Sequence, residues 1–282
     1  MCNEISEPLN VVIVCAHPDD CEYAAGGTTL RYRELGHNVV YISMTNGDAG
    51  HQSMNREDIK KRRYEETRNV AEYLGIEYQI MDIHDGEVLP TLENRQILIR
   101  VLRKYRPDII ITHPADDYHP DHRYTSRLVM DTAYMLKVPL IVPDAPVCEK
   151  NVVYCHISYK PESGIPSVIV PMDKYMNGKA YAFHLNTSQV YEWLPWVENI
   201  KFNILPYDEQ GRLEFLKQQW MGKWSMAAEN YREIMKKCSN AKMSGSTNCI
   251  EAYTISPLGL DITNETFSKY FPFDDVIFKD SV

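Results

Sequence analysis

The chain has 282 residues, too long for a peptide scaffold and short for two full-sized domains, so one large α/β domain with room for an extension is expected. Thirty Lys and Arg against 39 Asp and Glu leave a formal charge of −9, which argues against a surface built for nucleic acid or anionic lipid, since both reward basic patches. A composition of 44% hydrophobic and 24% charged residues excludes a disordered chain.

The opening Met-Cys-Asn-Glu-Ile-Ser-Glu-Pro is acidic and lacks the basic and apolar regions of an export signal. The seven cysteines (2, 15, 21, 148, 155, 238 and 249) are scattered and form no CxxC pair, so free thiols and a cytoplasmic location are expected. The apolar run Val11 to Ala16 is the size of one strand buried on both faces, far short of a membrane span. A helix over 23–35 stops at Gly36, Val39 to Met44 makes a second strand, and a helix over 56–74 ends at Gly75. Tyr78 to Ile83, a helix over 93–104, Asp108 to Thr112 and a helix from Pro120 through Leu136 complete the alternation. Beyond it lie irregular chain with short strands at 152–157 and 167–171, helices over 173–192 and 209–237, a loop over 238–249, and a late strand at Glu251 to Ile255. The pattern predicts a Rossmann-like three-layer α/β fold with a mainly parallel sheet and right-handed crossovers. It is read as one domain over 1–282, a β–α core over about 9–136 followed by an extension over 137–282.

Sites in such sheets form beyond the carboxyl ends of the strands. The first strand runs into His17-Pro18-Asp19-Asp20-Cys21-Glu22, and the fourth into His113-Pro114-Ala115-Asp116-Asp117-Tyr118-His119-Pro120-Asp121-His122. Imidazole and carboxylate together suit Zn²⁺, and three protein ligands with one open position make a catalytic rather than a structural centre. Either segment alone reads equally as a turn whose Asp caps the next helix. Two such clusters at one edge of one sheet point to a metal site.

Those two segments closely resemble the motifs of the LmbE-like, or PIG-L, family of zinc-dependent N-deacetylases: Ala16 to Glu22 matches the first and Thr112 to His122 the second. Thr45-Asn46-Gly47-Asp48-Ala49-Gly50, Arg63 with Glu66, Asp85-Gly86 and Ser188-Gln189 extend the likeness over about residues 10–275. The resemblance implies that His17, Asp20 and His122 hold Zn²⁺ and that Asp19 is the general base. It implies that His119 stabilises the oxyanion or protonates the leaving amine, with Asp121 or Asp117 orienting it. It gives Arg63 and Asp85 a grip on the sugar. The family commonly carries a late His before Ser-Gln; Asn186 stands there in this chain, with His184 two residues upstream as a candidate replacement.

The implied activity is zinc-dependent removal of an N-acyl group, most simply acetyl, from a small sugar-containing substrate, with no nucleic-acid partner, no membrane span, and a homo-oligomer left open. Two alternatives stand beside it: a related amidase acting on a non-sugar amide, and a nucleotide-binding Rossmann protein without hydrolytic chemistry. The latter needs G-x-G-x-x-G in the first β–α turn, where this chain has His-Pro-Asp-Asp-Cys-Glu and only then Gly26-Gly27. Trp220 and Trp224, at i, i+4, read as an amphipathic helix packing on the body of the protein.

Overall fold

The computed structural model describes residues 7–159, 165–238 and 247–279. Its centre is an eight-stranded sheet in the order β3-β2-β1-β4-β5-β7-β6-β8. The strands β1 (Asn10–Cys15), β2 (Asn38–Thr45), β3 (Glu77–Ile83), β4 (Ile109–Thr112) and β5 (Val153–Ile157) are parallel. Then β7 (Ile250–Ile255) runs antiparallel to β5, and β6 (Val168–Pro171) and β8 (Ile277–Phe278) complete the edge. The Rossmann-like expectation is met in the parallel part. In the tail the chain order is mixed: β7, which returns only after the helical stretch that follows β6, pairs antiparallel between β5 and β6.

Side chains alternating along β1 sort the helices into two layers. Val11, Ile13 and Cys15 pack with Ala24 and Tyr32 of α1 (Asp20–Glu34) and Val70 and Leu74 of α2 (Arg56–Leu74). Val12 and Val14 pack with Leu98 and Leu102 of α3 (Leu92–Tyr105) and Leu128 and Val129 of α4 (Pro120–Met135). Thus β1 feeds a helix on one face and β4, its neighbour, feeds a helix on the other. A crevice opens between their carboxyl ends, at the switch point of the strand order.

The first helix begins at Asp20, three residues earlier than its apolar pattern suggested, because Asp20 and Glu22 complement the positive end of the helix. The helix expected over 173–192 is broken into a 3₁₀ turn at Asp173–Tyr175, α5 (Met176–His184), a π-turn at Gln189–Trp193 and α6 (Leu194–Val197). The charged stretch from 209 divides into α7 (Glu209–Asn230) and α8 (Arg232–Cys238), and α9 (Phe267–Tyr270) closes the chain before β8. Most of the expected 238–249 loop lies outside the described residues. No described helix is long and apolar enough to cross a membrane.

Candidate metal centre

The two motif segments meet in the crevice. His17 Nδ1, Asp20 Oδ2 and His122 Nε2 form a triangle with sides of 3.2, 3.2 and 3.4 Å. Donors bound at zinc's usual lengths in a tetrahedral site stand about 3.3–3.4 Å apart, so the three atoms match one face of such a site. His17 and Asp20 come from the end of β1 and the start of α1. His122 comes from the first turn of α4, which proline at position 120 opens.

The atoms behind this triangle fix which nitrogens are free. His17 Nε2 lies 3.2 Å from Asp85 Oδ1 and 3.3 Å from Asp121 Oδ2, so its proton sits there and Nδ1 is left as a lone pair. His122 Nδ1 lies 3.0 Å from Asp117 Oδ1, close but off the axis of a straight hydrogen bond, which leaves Nε2 toward the triangle. His113 stacks on His122, with ring centroids 3.9 Å apart, and its Nε2 is 3.4 Å from Asp20 Oδ2. That nitrogen already accepts the Ala16 N–H at 2.9 Å, so His113 supports the floor and has no lone pair to spare there. His119 caps α4: its Nδ1 accepts the Asp121 N–H at 3.2 Å, which puts the proton of the neutral ring on Nε2.

The charge balance of this pocket asks for a cation. Asp19, Asp20, Asp85, Asp117 and Asp121 crowd around the histidines, and Arg63 is the fixed cation that answers them among the described residues. Burial opposes ionisation of Asp20, yet His122 and His17 hold its carboxyl well below the usual range. Burial likewise disfavours a charged His17, but Asp121, Asp20 and Asp85 raise its pKa well above the ordinary imidazole value. A buried group of carboxylates that draws protons onto its histidines is a site with negative charge to spare. The donor set and its spacing therefore fit a divalent ion.

Asp19 faces the cavity beside Arg63, its Oδ1 3.2 Å from Arg63 Nη2. Burial raises its pKa and the guanidinium offsets that in part. Arg63 is 2% exposed and donates Nη2 to the Pro18 carbonyl at 2.5 Å, while its Nε and Nη1 are buried without a partner. Gly47, at φ +68°, lets the loop after β2 pass against it; a Cβ there would stand 2.9 Å from Arg63 Nε. One turn along α2, Glu66 accepts the Ser188 N–H at 2.7 Å and the Ser188 hydroxyl at 2.6 Å. Gln189 Nε2 donates to the Gly50 carbonyl at 3.0 Å, so these two contacts tie the late Ser-Gln pair to the core.

Three sequence expectations read differently in the fold. Asp121 does not line the cavity. Its carboxylate accepts the Gly86 N–H at 2.7 Å and the Val88 N–H at 3.2 Å and faces His17, behind the triangle. Neither Asp117 nor Asp121 holds His119 through its carboxylate at the ring; the backbone N–H of Asp121 does so. His184 is buried away from the cavity wall, its Nδ1 2.6 Å from the Tyr191 hydroxyl, and Asn186 donates to Glu22 Oε1 at 3.0 Å. Neither lines the cavity.

The cavity of about 710 Å³ that holds His17, Asp19, Asp20, Arg63, Asp85, His119 and His122 continues past the metal cluster into an aromatic arm. Tyr23, Tyr159, Phe183, Trp220 and Trp224 wall this arm. The pairing of Trp220 with Trp224 was the one signal of it in the sequence: these rings do pack on the body of the protein, and they also face the site.

Comparison with known proteins places this geometry. Residues 12–133 match the PIG-L family, described as GlcNAc-PI de-N-acetylase. The diacetylchitobiose deacetylase of Thermococcus kodakarensis is 34% identical over 146 residues, 48% of this chain and 55% of that protein, so the match spans about half of the relative's length. In fold, the N,N'-diacetylchitobiose deacetylase of Pyrococcus horikoshii superposes with a TM-score of 0.69 at 21% identity, over 91% of this chain and 87% of that one. The 4-carboxy-2-hydroxymuconate hydratase of Pseudomonas putida gives 0.66 at 16% identity, over 91% and 98%. The fold thus serves two chemistries, and the site must choose between them.

Proposed function

Through residues 12–133 the chain belongs to the PIG-L (LmbE-like) family, and from that premise we propose that it is a metal-dependent hydrolase removing an N-acetyl group from a sugar-bearing substrate. The observation that carries the reading is the triangle of His17 Nδ1, Asp20 Oδ2 and His122 Nε2 with Asp19, His119 and Arg63 facing the same cavity. These three donors would hold the ion, zinc by their chemistry; when bound, it supplies Lewis acidity toward an acyl oxygen and toward water.

The remaining steps belong to the chain. Asp19, its basicity raised by burial, takes the proton of the attacking water and hands it to the departing amine. His119, with Nδ1 occupied by the helix N–H, presents Nε2–H as a neutral donor to the oxygen that becomes negative. Burial and the neighbouring His17 and His122 hold its pKa below the ordinary value, in keeping with a neutral donor. The unpaired Nε and Nη1 of Arg63 are two donors ready for the acyl or ring oxygens of the substrate. Asp85 both faces His17 and lines the cavity, where its carboxylate can accept from a hydroxyl.

The test is amine release from a panel of N-acetyl sugars and non-sugar amides, with and without chelator. Release from the sugars that stops with chelator and returns with Zn²⁺ is expected. A zinc-loaded protein that frees no amine from any N-acetyl sugar but works on another amide or hydrates a double bond overturns the reading.

A further inference from the structure

We propose that Asp48 is a positioning residue of this site: it fixes the turn that aims Asp85 at His17 and at the cavity. What concerns turnover in this proposal rests on the deacetylase reading above. Asp48 lies in the loop after β2 and is 3% exposed. It does not line the cavity, whereas its loop neighbours Ala49 and Gly50 do, together with Asp85.

Donors from three residues converge on the Asp48 carboxylate. Its Oδ1 accepts the Asp85 N–H at 3.0 Å, His84 Nδ1 lies 2.6 Å from Oδ2, and Arg56 Nη1 reaches both oxygens at 3.1 Å. Arg56 and His84 come from the solvent side, with more than half of each side chain exposed, and the Asp85 N–H comes from within. The loop is itself stitched to the end of β3. The Asp48 N–H is given to Asn46 Oδ1 at 3.1 Å, and the Asn46 N–H to the Ile83 carbonyl at 2.9 Å.

From the other side Asp121 takes the N–H groups of Gly86 and Val88, and Gly86 turns the chain at φ +85°, which glycine adopts without strain. The turn after β3 thus hangs between two buried carboxylates, one from the loop after β2 and one from α4. The peptide N–H on each side of the Asp85 Cα is fixed, and the side chain leaves in a direction that puts Oδ1 3.2 Å from His17 Nε2. A carboxylate that meets an imidazole and also faces the substrate cavity serves both only when held to within about 0.5 Å, and that precision comes from the groups behind it.

The experiment is a double-mutant cycle of Asp48→Ala with Asp85→Ala. It reads Zn²⁺ affinity of chelator-stripped protein, by competition with a chromophoric chelator, and kcat and KM on the best N-acetyl sugar of the panel. Asp48→Ala should lower zinc affinity about tenfold, the lower end of the range for a lost outer partner because Asp121 stays behind His17, and should raise KM more than it lowers kcat. Beside Asp85→Ala the same change should cost less than about twofold, since no carboxylate is left to aim. Asp48→Asn, which keeps an oxygen for the Asp85 N–H, should stay within about threefold of the parent. Equal losses in both backgrounds, or Asp48→Asn as impaired as Asp48→Ala, mark a role in the loop or in the charge alone and overturn the proposal. If Asp48→Ala does not fold, Arg56→Met with His84→Phe strips the carboxylate of its outer donors at exposed positions and carries the same cycle. A loss of about threefold in the parent and less than about twofold beside Asp85→Ala is then expected, and no loss or equal losses overturn the proposal. Coupled losses of zinc affinity in a protein that frees no amine from any N-acetyl sugar keep the positioning role and refute the deacetylase reading. Equal losses with amine release do the reverse; equal losses without release, or a parent that binds no Zn²⁺, refute both.

Discussion

Asp121 gives the sharpest test of how the centre is held. Its Oδ2 takes the Gly86 N–H at 2.7 Å and faces His17 Nε2 at 3.3 Å, and its Oδ1 takes the Val88 N–H at 3.2 Å. A carboxylate can accept all three donors, whereas an amide offers one accepting oxygen. In Asp121→Asn the best arrangement keeps oxygen toward Gly86 and His17 and turns an NH₂ on the Val88 N–H. One buried donor is stranded, at a cost of about 1–3 kcal/mol, and of the two carboxylates behind His17 only Asp85 keeps its charge. Removing the outer partner of a metal-bound imidazole costs about tenfold to a hundredfold in metal affinity. Asp121→Asn should therefore lower the urea midpoint of chelator-stripped protein by the equivalent of that first figure. It should weaken zinc binding, read by competition with a chromophoric chelator, by about the second. Asp121→Ala, which strands both backbone donors and leaves His17 Nε2 to Asp85 alone, should do more of both. Zinc affinity within twofold of the parent in Asp121→Asn, with the midpoint lowered, would show that the carboxylate only staples the 86–88 loop; no change in either would refute the hydrogen-bond accounting itself.

Asp19→Asn should keep its metal but lose about 10²–10⁴ in kcat, as removal of a general base does, and a fully active zinc-loaded variant would exclude Asp19 from that role. His119→Ala should lower kcat by about 10²–10³ with a smaller change in KM, and an equal loss in both parameters would argue for binding instead. Glu251 accepts the N–H groups of Gly27 and Thr28, just after the non-helical Ala25 of α1, as well as Lys179 Nζ. Glu251→Gln should thus destabilise by about 3–5 kcal/mol, with Lys179→Met recovering part of the loss in urea melts; no recovery would deny the pairing. Burial holds the pKa of His184 below the ordinary value, so the unfolded chain binds its proton first. Its contribution to stability is complete above the unfolded pKa and is lost as pH falls through the folded one. His184→Phe should flatten the stability curve on the acid side of about pH 6.5, and an unchanged slope between pH 7 and 5 would count against it.

The local signals of this chain carried the elements and the chemistry of the donors. Apolar runs such as Val11 to Ala16 and the Gly36 and Gly75 stops report burial and chain breaks from neighbours alone, and the β–α alternation follows from them. The two His- and Asp-rich segments announced their chemistry by residue type, because few folds spend that many imidazoles and carboxylates at strand ends without a cation to bind. What tertiary structure decided is partnership. Only the order β3-β2-β1-β4-β5 makes β1 and β4 neighbours, and so brings His122 within 3.2 Å of His17 across 105 residues. Only the folded path from the loop before α4 into its first turn sends the Asp117 carboxylate to His122 and the Asp121 carboxylate to His17, with His119 left to a backbone N–H. The break of the 173–192 stretch at a π-turn turned His184 inward to Tyr191, where a regular helical reading had left it free to serve the site. The aromatic arm joins Tyr23 to residues some 200 positions away, and periodicity reports that a face is buried but not what it is buried against.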